Sequence, residues 1–173
     1  MKLAVGVMCL GALLAAVAGP AAARHASTVP LNVTHRATWN PSGPCPPGVP
    51  RKVGGSFSKC YLISSSSTFQ GLGKVTVRQN VGFLNDRTKC MTIKSKIVLA
   101  VGTKGHVHAT GQTKRCVDPN EKVTVVPFKI TGGTGAFTTA TGGGTITVTD
   151  ARETGRGVGD QKELWKGTLT FSE

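Results

Sequence analysis

Ile130-Thr-Gly-Gly-Thr-Gly-Ala-Phe-Thr-Thr-Ala-Thr-Gly-Gly-Gly-Thr-Ile-Thr-Val-Thr149 is a glycine-rich turn between two segments that have the composition of β-strands. Glycine tolerates backbone angles that other residues avoid, so it concentrates where a chain reverses direction tightly. The β-branched residues on both sides favour strands over helices. The stretch therefore predicts an all-β fold, and it does not by itself predict a chemistry.

The alternation of apolar and polar residues continues outward from this turn in both directions. A two-residue period indicates a strand with one buried face, and it recurs in about eight short segments with no amphipathic helix between them. The segments span residues 29–39, 57–63, 73–79, 91–101, 106–110, 122–130, 145–149 and 164–171, with a polar loop at 150–160. This pattern predicts an antiparallel eight-stranded barrel, with a β-sandwich as the alternative. Pro127 inside a strand predicts an edge or a bulge there.

The core of the opening stretch, Gly-Gly-Thr-Gly-Ala-Phe-x-x-Ala-x-Gly at 132–142, resembles the glycine signature of the allene oxide cyclase and dirigent barrels. The resemblance extends over 68–171, and it also takes in small secreted bacterial proteins with that barrel. It implies a calycin-like fold in which the motif is a structural turn and in which Phe137 and Ala140 close one barrel end. In the plant members it implies a lumen that folds a reactive intermediate. The turn residues are Gly132, Gly133, Gly135, Phe137, Ala140 and Gly142.

The beginning of the chain has the plan of a secretory signal peptide. Lys2 precedes an apolar run from Leu3 to about Val17, and Ala21-Ala-Ala23 offers an Ala-x-Ala cleavage site. The run is shorter than the ~20 residues of a membrane span. We therefore expect a signal peptide at 1–23 and a secreted monomer with one domain at 24–173, including a proline-rich loop at 41–50.

Cysteine usage agrees with export. Cys45, Cys60, Cys90 and Cys116 remain after position 23, and an even number in an exported chain favours disulfides. Of the three possible pairings we expect Cys45–Cys60, which would pin the proline-rich loop, and Cys90–Cys116, which would bracket a hairpin. The alternative Cys₄ metal site is disfavoured because the chain has no Cys-x-x-Cys pair.

The chain is strongly basic, with a formal net charge of +13. Basic side chains are dispersed, so the charge predicts either solubility or attraction to an extracellular anionic polymer. Specific nucleic-acid binding is disfavoured because the aromatic residues sit where a core needs them. The residues that we expect in a polymer-binding patch are Lys94, Lys96, Lys104, Lys114 and Arg115.

Motifs for catalysis are scarce. The glycine run has no following Lys, as a phosphate-binding P-loop needs, and no Gly-x-Ser-x-Gly elbow occurs. His106 and His108 would share one strand face and form a weak metal candidate, with His35 as a possible third ligand, but we expect no metal and no cofactor. The polar cluster that could line a barrel mouth is Arg152, Glu153, Arg156 and Asp160.

These observations leave three functions open. We expect a ligand-binding or surface-associated protein without enzymatic activity. The alternatives are a cyclase, isomerase or dirigent-type barrel that acts on a small apolar molecule, and a cationic protein that binds anionic envelope polymers. A roomy lumen with converging polar groups would favour a small molecule, whereas a filled core with a basic face would favour a polymer.

Overall fold

The computed structural model describes residues 25–50, 52–53, 56–57, 59–85, 90–116 and 123–172. The expected signal peptide at 1–23 lies outside these residues. Nearly all of the described chain is extended, and its single helical element is one 3₁₀ turn at Gly135–Phe137. The strands are β1 (Ala26–Pro30), β2 (Val33–Asn40), β3 (Lys52–Val53), β4 (Ser56–Phe57), β5 (Lys59–Phe69), β6 (Gly73–Asn85), β7 (Cys90–Val101), β8 (Gly105–Cys116), β9 (Thr124–Gly133), β10 (Thr141–Gly155) and β11 (Val158–Ser172).

Eight of these strands form a closed antiparallel barrel. Strands β5 to β11 follow one another as neighbours, and β2 closes the ring because it pairs with both β11 and β5. Strand β1 pairs with the last part of β11, beyond the segment that β2 uses, and β3 and β4 form a separate two-stranded ribbon. The predicted eight-stranded barrel is confirmed. Closure leaves few free edges, which explains how so many short strands satisfy their backbone groups.

Most strands are longer than the sequence predicted, as in β5, which continues to Phe69 beyond the end expected at 63, and two further differences change how the barrel closes. The single strand expected at 29–39 is interrupted at Leu31 and Asn32, where the buried Leu31 donates its N–H to Gly167 O at 2.8 Å. The prediction of a polar loop at 150–160 was wrong, because β10 continues to Gly155 and β11 begins at Val158. Register shifts between Thr149 and Gly155 let the hairpin continue through residues whose polarity hid the strand pattern.

The two barrel ends differ in filling. At the end that carries the 3₁₀ turn, which we call the closed end, a large apolar cluster surrounds the fully buried Trp165 and Phe69, whose ring centroids lie 6.1 Å apart. Phe137 of the 3₁₀ turn covers this cluster and meets Phe171 edge to face, with ring centroids 5.0 Å apart. At the opposite end, the open end, the apolar cluster is small and has Ala37, Ile63, Val81 and Ile93 as its buried members. The barrel is therefore packed solid at one end only.

Pro127 occupies a position that a proline can tolerate. The β8–β9 ladder ends at the pair Gly111 and Phe128, and Pro127 is the next residue toward the open end. Its missing N–H therefore falls beyond the last pair of that ladder.

Both predicted disulfides are present. Cys90 and Cys116 are directly opposite one another at the open ends of β7 and β8. Cys45 and Cys60 fasten the proline-rich loop to the outside of the barrel, where Val49 is buried close to Gly82. Among the described residues, no helix is long and apolar enough to cross a bilayer.

Candidate functional site

A buried carboxylate lies where the packed half of the lumen meets the open half. Glu163 projects inward from β11, two residues from Trp165, and its side chain is fully buried. Gln79 Nε2 lies 2.9 Å from both carboxylate oxygens, Gln161 Nε2 donates to Oε1 at 2.7 Å, and Trp165 Nε1 donates to Oε2 at 2.9 Å. His35 Nε2 lies 3.3 Å from Oε2. Donors from three strands thus converge on one acidic group.

These donors keep Glu163 ionised. Burial alone would raise the pKa of this carboxyl, but hydrogen bonds from His35, Trp165 and Gln161, together with the charge of His35, outweigh burial and lower the pKa below its ordinary value. Protonation would also replace one acceptor position of the carboxylate by an O–H donor, although the surrounding N–H groups all need an acceptor. The centre of the barrel therefore carries a negative charge that is held by neutral amides, an indole and an imidazole.

His35 joins this cluster to β5. Its Nε2 lies 2.9 Å from Ser65 Oγ as well as near Glu163, and its ring sits between Phe69 and Trp165. The other ring nitrogen, Nδ1, is buried and has no hydrogen-bond partner among the described residues. His35 shares the sequence parity of Leu31, Val33 and Ala37, and it is buried on the inward side of its strand.

A cavity of about 170 Å³ lies directly above this cluster, toward the open end. A cavity of similar size holds a benzene ring in a protein core. Its floor carries the polar side chains Gln79, Ser95, Gln161 and Glu163, and its walls are mainly aliphatic. The wall residues include Ile63, Val81, Ile93, Val126, Ile146 and Val148.

A wider vestibule of about 390 Å³ leads from this cavity to solvent. Trp39, Tyr61 and Phe83 line it and meet edge to face, with ring centroids 5.2 and 5.6 Å apart. Arg115 and Lys59 line the same vestibule and add positive charge at its rim. The lumen therefore combines an acidic floor, apolar walls and an aromatic, basic mouth.

The predicted basic patch is only partly assembled. Lys94, Lys96 and Lys114 share the outer face of β7 and β8, whereas Lys104 lies in the turn between these strands at the closed end. Arg115 faces the opposite way, lines the vestibule, and donates to Thr124 Oγ1 at 2.7 Å. Arg115 thus belongs to the lumen and not to the outer surface.

The predicted barrel-mouth cluster lies at the open end, on the outside of the β10–β11 hairpin. Arg152 binds Asp160 through two nitrogens at 2.9 and 3.2 Å, and Arg36 binds the same carboxylate at 3.0 Å. The hydrogen bond from Arg152 lowers the pKa of Asp160. Glu153 accepts the N–H of Gly157 at 2.9 Å and Arg156 occupies the turn with a positive φ of 52°. These contacts stabilise the hairpin, while Ala151 and Gln161 are the residues of β10 and β11 that line the vestibule.

His106 and His108 lie on the outer face of β8, whereas His35 is inside the barrel. The sheet therefore separates the three rings. Among the described residues, no group of three His, Cys, Asp or Glu side chains is arranged to hold a metal ion.

The glycine turn between β9 and β10 is hydrogen-bonded to the turn between β7 and β8 at the closed end. Thr134 N–H donates to His106 O at 2.8 Å, and Ala136 N–H donates to Lys104 O at 2.9 Å. Gly135 has a φ of +61°, and a Cβ there would collide with Lys104 O. Gly132 and Gly133 are the last residues of β9 and Gly142 is the second residue of β10, and Phe137 and Ala140 between these strands are buried.

Sequence reasoning missed the lumen cluster. Glu163, Gln79, Gln161 and Ser95 are not among the candidate residues that the sequence predicted. The available signal was parity, because counting back by twos from the inward Trp165 reaches Glu163 and then Gln161.

The fold and this site define a closed eight-stranded antiparallel β-barrel with a half-filled lumen and a carboxylate at its floor. Comparison of the chain with protein-family models, with curated proteins and with solved structures finds no match.

Proposed function

We propose that this protein is a secreted monomer that binds a small, mainly apolar molecule in the open half of its barrel lumen. The observation that carries the proposal is the cavity above Glu163, whose aliphatic walls and convergent polar floor have the composition of a ligand site. A barrel evolved for stability alone would fill this volume, as it does at the closed end.

Two features support this function. The glycine turn resembles that of the allene oxide cyclase and dirigent barrels, whose plant members use the lumen for a small molecule. The two disulfides are compatible with an extracellular protein, which agrees with the expected signal peptide. An enzymatic barrel of the cyclase or dirigent type remains the alternative for the same lumen, and turnover of a bound ligand would distinguish the two.

Blocking the lumen tests the proposal. The oxidised protein, residues 24–173, is titrated with 2-phenylethanol by isothermal calorimetry, alone and as Ala151→Phe, which places a ring in the vestibule. Val125→Phe is the control, since Val125 is exposed on the outer face of β9. We expect saturable binding that Ala151→Phe weakens at least tenfold and Val125→Phe leaves unchanged. Equal binding by all three proteins, or none by any, would contradict a lumen site.

A separate observation favours a second function at the outer wall. Within the described parts of β6 to β9, and in the turn between β7 and β8, no acidic residue occurs, whereas Asp150, Glu153, Asp160 and Glu163 all lie on β10 and β11. Lys96, Thr110 and Lys129 form one row across three strands beside an outer groove of about 550 Å³. The cations of this wall are Lys74, Arg78, Lys94, Lys96, Lys104, Lys114 and Lys129.

Such a wall would attract an extracellular polyanion. All described aromatic side chains are inside the barrel or at its mouth, so the wall has no platform for stacking nucleic-acid bases. Retention on immobilised heparin is compared for Lys96→Glu/Lys129→Glu and for Lys162→Glu/Lys166→Glu, which makes the same charge change on β11. Earlier elution of the first variant alone would support polyanion binding by this wall. Equal shifts in elution would mean that retention depends only on the net charge of the protein.

A further inference from the structure

The orientation of two amides at the cavity floor indicates which head group the lumen accepts. Gln79 and Gln161 both direct their side-chain nitrogens to the carboxylate of Glu163, at 2.7 to 2.9 Å. An ionised carboxylate only accepts hydrogen bonds, so neither amide can be reversed without placing its carbonyl oxygen against the charge. Each amide therefore keeps its nitrogen on Glu163 and has its carbonyl oxygen left over, at residues that line the cavity.

Ser95 adds an unsatisfied group to the same floor. Its side chain is 6 % exposed and lines the cavity, and Ser95 Oγ has no hydrogen-bond partner among the described residues. A buried hydroxyl without a partner costs free energy, so a ligand atom or a water that bonds it is favoured. Gly111 lies opposite Ser95 on β8, and a Cβ there would stand 2.6 Å from Ser95 Oγ, so only glycine leaves this hydroxyl its room.

The floor is therefore rich in acceptors and contains the buried carboxylate of Glu163. Gln79, Gln161, Trp165 and His35 all direct nitrogen atoms at the oxygens of Glu163, and Gln79 Nε2 lies within hydrogen-bond distance of both oxygens. Lys59 lines the vestibule, whereas Arg115 lines both the vestibule and the inner cavity and donates to Thr124 Oγ1 at 2.7 Å. A ligand that enters head first would meet lone pairs backed by a buried charge.

We infer that the lumen selects a small amphiphile whose buried head group is a hydrogen-bond donor, a protonated amine or a hydroxyl, and that it rejects carboxylates. The inference rests on the proposed lumen function. The donor bonds the carbonyl oxygens of Gln79 and Gln161 and the hydroxyl of Ser95, while the apolar body lies between aliphatic walls and the aromatic vestibule. A carboxylate in that position would lie close to the buried carboxylate of Glu163, and like charges so close are strongly unfavourable.

Four probes of matched size test the inference on the oxidised protein by isothermal calorimetry at pH 7. They are 2-phenylethylamine, 2-phenylethanol, phenylacetate and ethylbenzene, which share a ring and differ in the head group. We expect the amine and the alcohol to bind at least tenfold more tightly than phenylacetate and several-fold more tightly than ethylbenzene. Phenylacetate that binds as well as the amine would overturn the inference, and so would four equal affinities, although either result would leave a lumen site in place. Absence of binding by every probe would instead overturn the proposed function.

Two variants locate the effect. Ser95→Ala removes a hydroxyl that makes no bond in the described structure, so it should fold normally, weaken 2-phenylethanol several-fold and leave ethylbenzene unchanged. Glu163→Gln removes the charge, so the preference for the amine over phenylacetate should fall at least fivefold. The inference is overturned if Ser95→Ala leaves the affinities for 2-phenylethanol and ethylbenzene unchanged and Glu163→Gln retains the full preference for the amine over phenylacetate. The floor residues would then not determine which head group binds.

Discussion

Gln79 and Glu163 meet across the barrel lumen, with the amide nitrogen of Gln79 2.9 Å from each carboxylate oxygen. The residues are 84 positions apart in the chain and lie on strands β6 and β11, which are not neighbours in the sheet. The contact therefore ties together two walls that no backbone ladder joins, and it sets the level at which the filled core gives way to the cavity.

Two replacements of Glu163 should show how much its hydrogen-bond acceptors and its charge contribute to the free energy of unfolding. Glu163→Leu leaves the donors of Gln79, Gln161 and Trp165 without an acceptor, and we expect a loss of about 3 kcal/mol or more in the free energy of unfolding. Glu163→Gln keeps one acceptor, and Gln79 can then rotate its amide, so the loss should be about 1 to 2 kcal/mol. Urea unfolding of both variants measures the difference. A Leu variant as stable as the Gln variant would mean that the network contributes nothing to stability.

The stability of the protein should decline on acidification partly through Glu163. Its native pKa is lowered from an ordinary value of 4.5, so the unfolded chain binds the proton more readily than the native one. The stabilising contribution is therefore complete above pH 4.5 and is lost as the pH falls through the lower native pKa. The gap in unfolding free energy between wild type and Glu163→Gln should narrow as the pH falls from 7 toward 3.

The pKa of Asp160 is also lowered, because Arg152 donates hydrogen bonds to its carboxylate. Asp160→Asn is therefore the control for the loss of stability at low pH. Asp160 lies on the outer surface and is bound by exposed arginines, so its variant should retain most of the acid sensitivity of wild type. A gap between wild type and Glu163→Gln that stays constant over this pH range would contradict a lowered pKa of Glu163.

The glycine turn should be intolerant of a side chain at Gly135. Gly135→Ala combines a positive φ with a collision between Cβ and Lys104 O, whereas Gly73→Ala has a positive φ of 79° and open space around it. The control should lose about 1 to 2 kcal/mol from backbone strain alone. Gly135→Ala should lose clearly more, because the contact between the two turns must open. Thermal unfolding of the pair checks this, and equal losses would show that the turns do not need their close approach.

The disulfides should stabilise the barrel independently. Cys45–Cys60 and Cys90–Cys116 close loops of 15 and 26 residues. In the chain-entropy model each contributes about 3 kcal/mol, and Cys90→Ala/Cys116→Ala should cost slightly more than Cys45→Ala/Cys60→Ala. Urea midpoints of the two double variants and of the fourfold variant measure this. A fourfold variant no less stable than either double variant would rule out independent contributions.

Local pattern was enough to predict much of the barrel and not enough to predict its site. Alternation located most strands and the inward side of His35, because a buried face imposes a two-residue period. It failed between Asp160 and Glu163, where both faces of β11 are polar: Asp160 and Lys162 face out, and Gln161 and Glu163 face in. A strand prediction depends on the contrast between an apolar and a polar face. The polar side chains of the lumen remove that contrast, so the site residues could not be found from hydropathy.

The sequence by itself determined the all-β class and the glycine turn, since each depends on local backbone preference or on side-chain period, and it limited the four cysteines after position 23 to three pairings, among which the structure contains the expected one. Only the tertiary structure decided that Gln79, Gln161, Trp165 and His35 converge on Glu163 and that Arg115 turns into the lumen. It also decided that the cations of β6 to β9 share one wall, on which the described residues include no acidic side chain. These relationships depend on barrel closure and strand register, which bring distant residues to one level, and no local preference of the chain specifies that level.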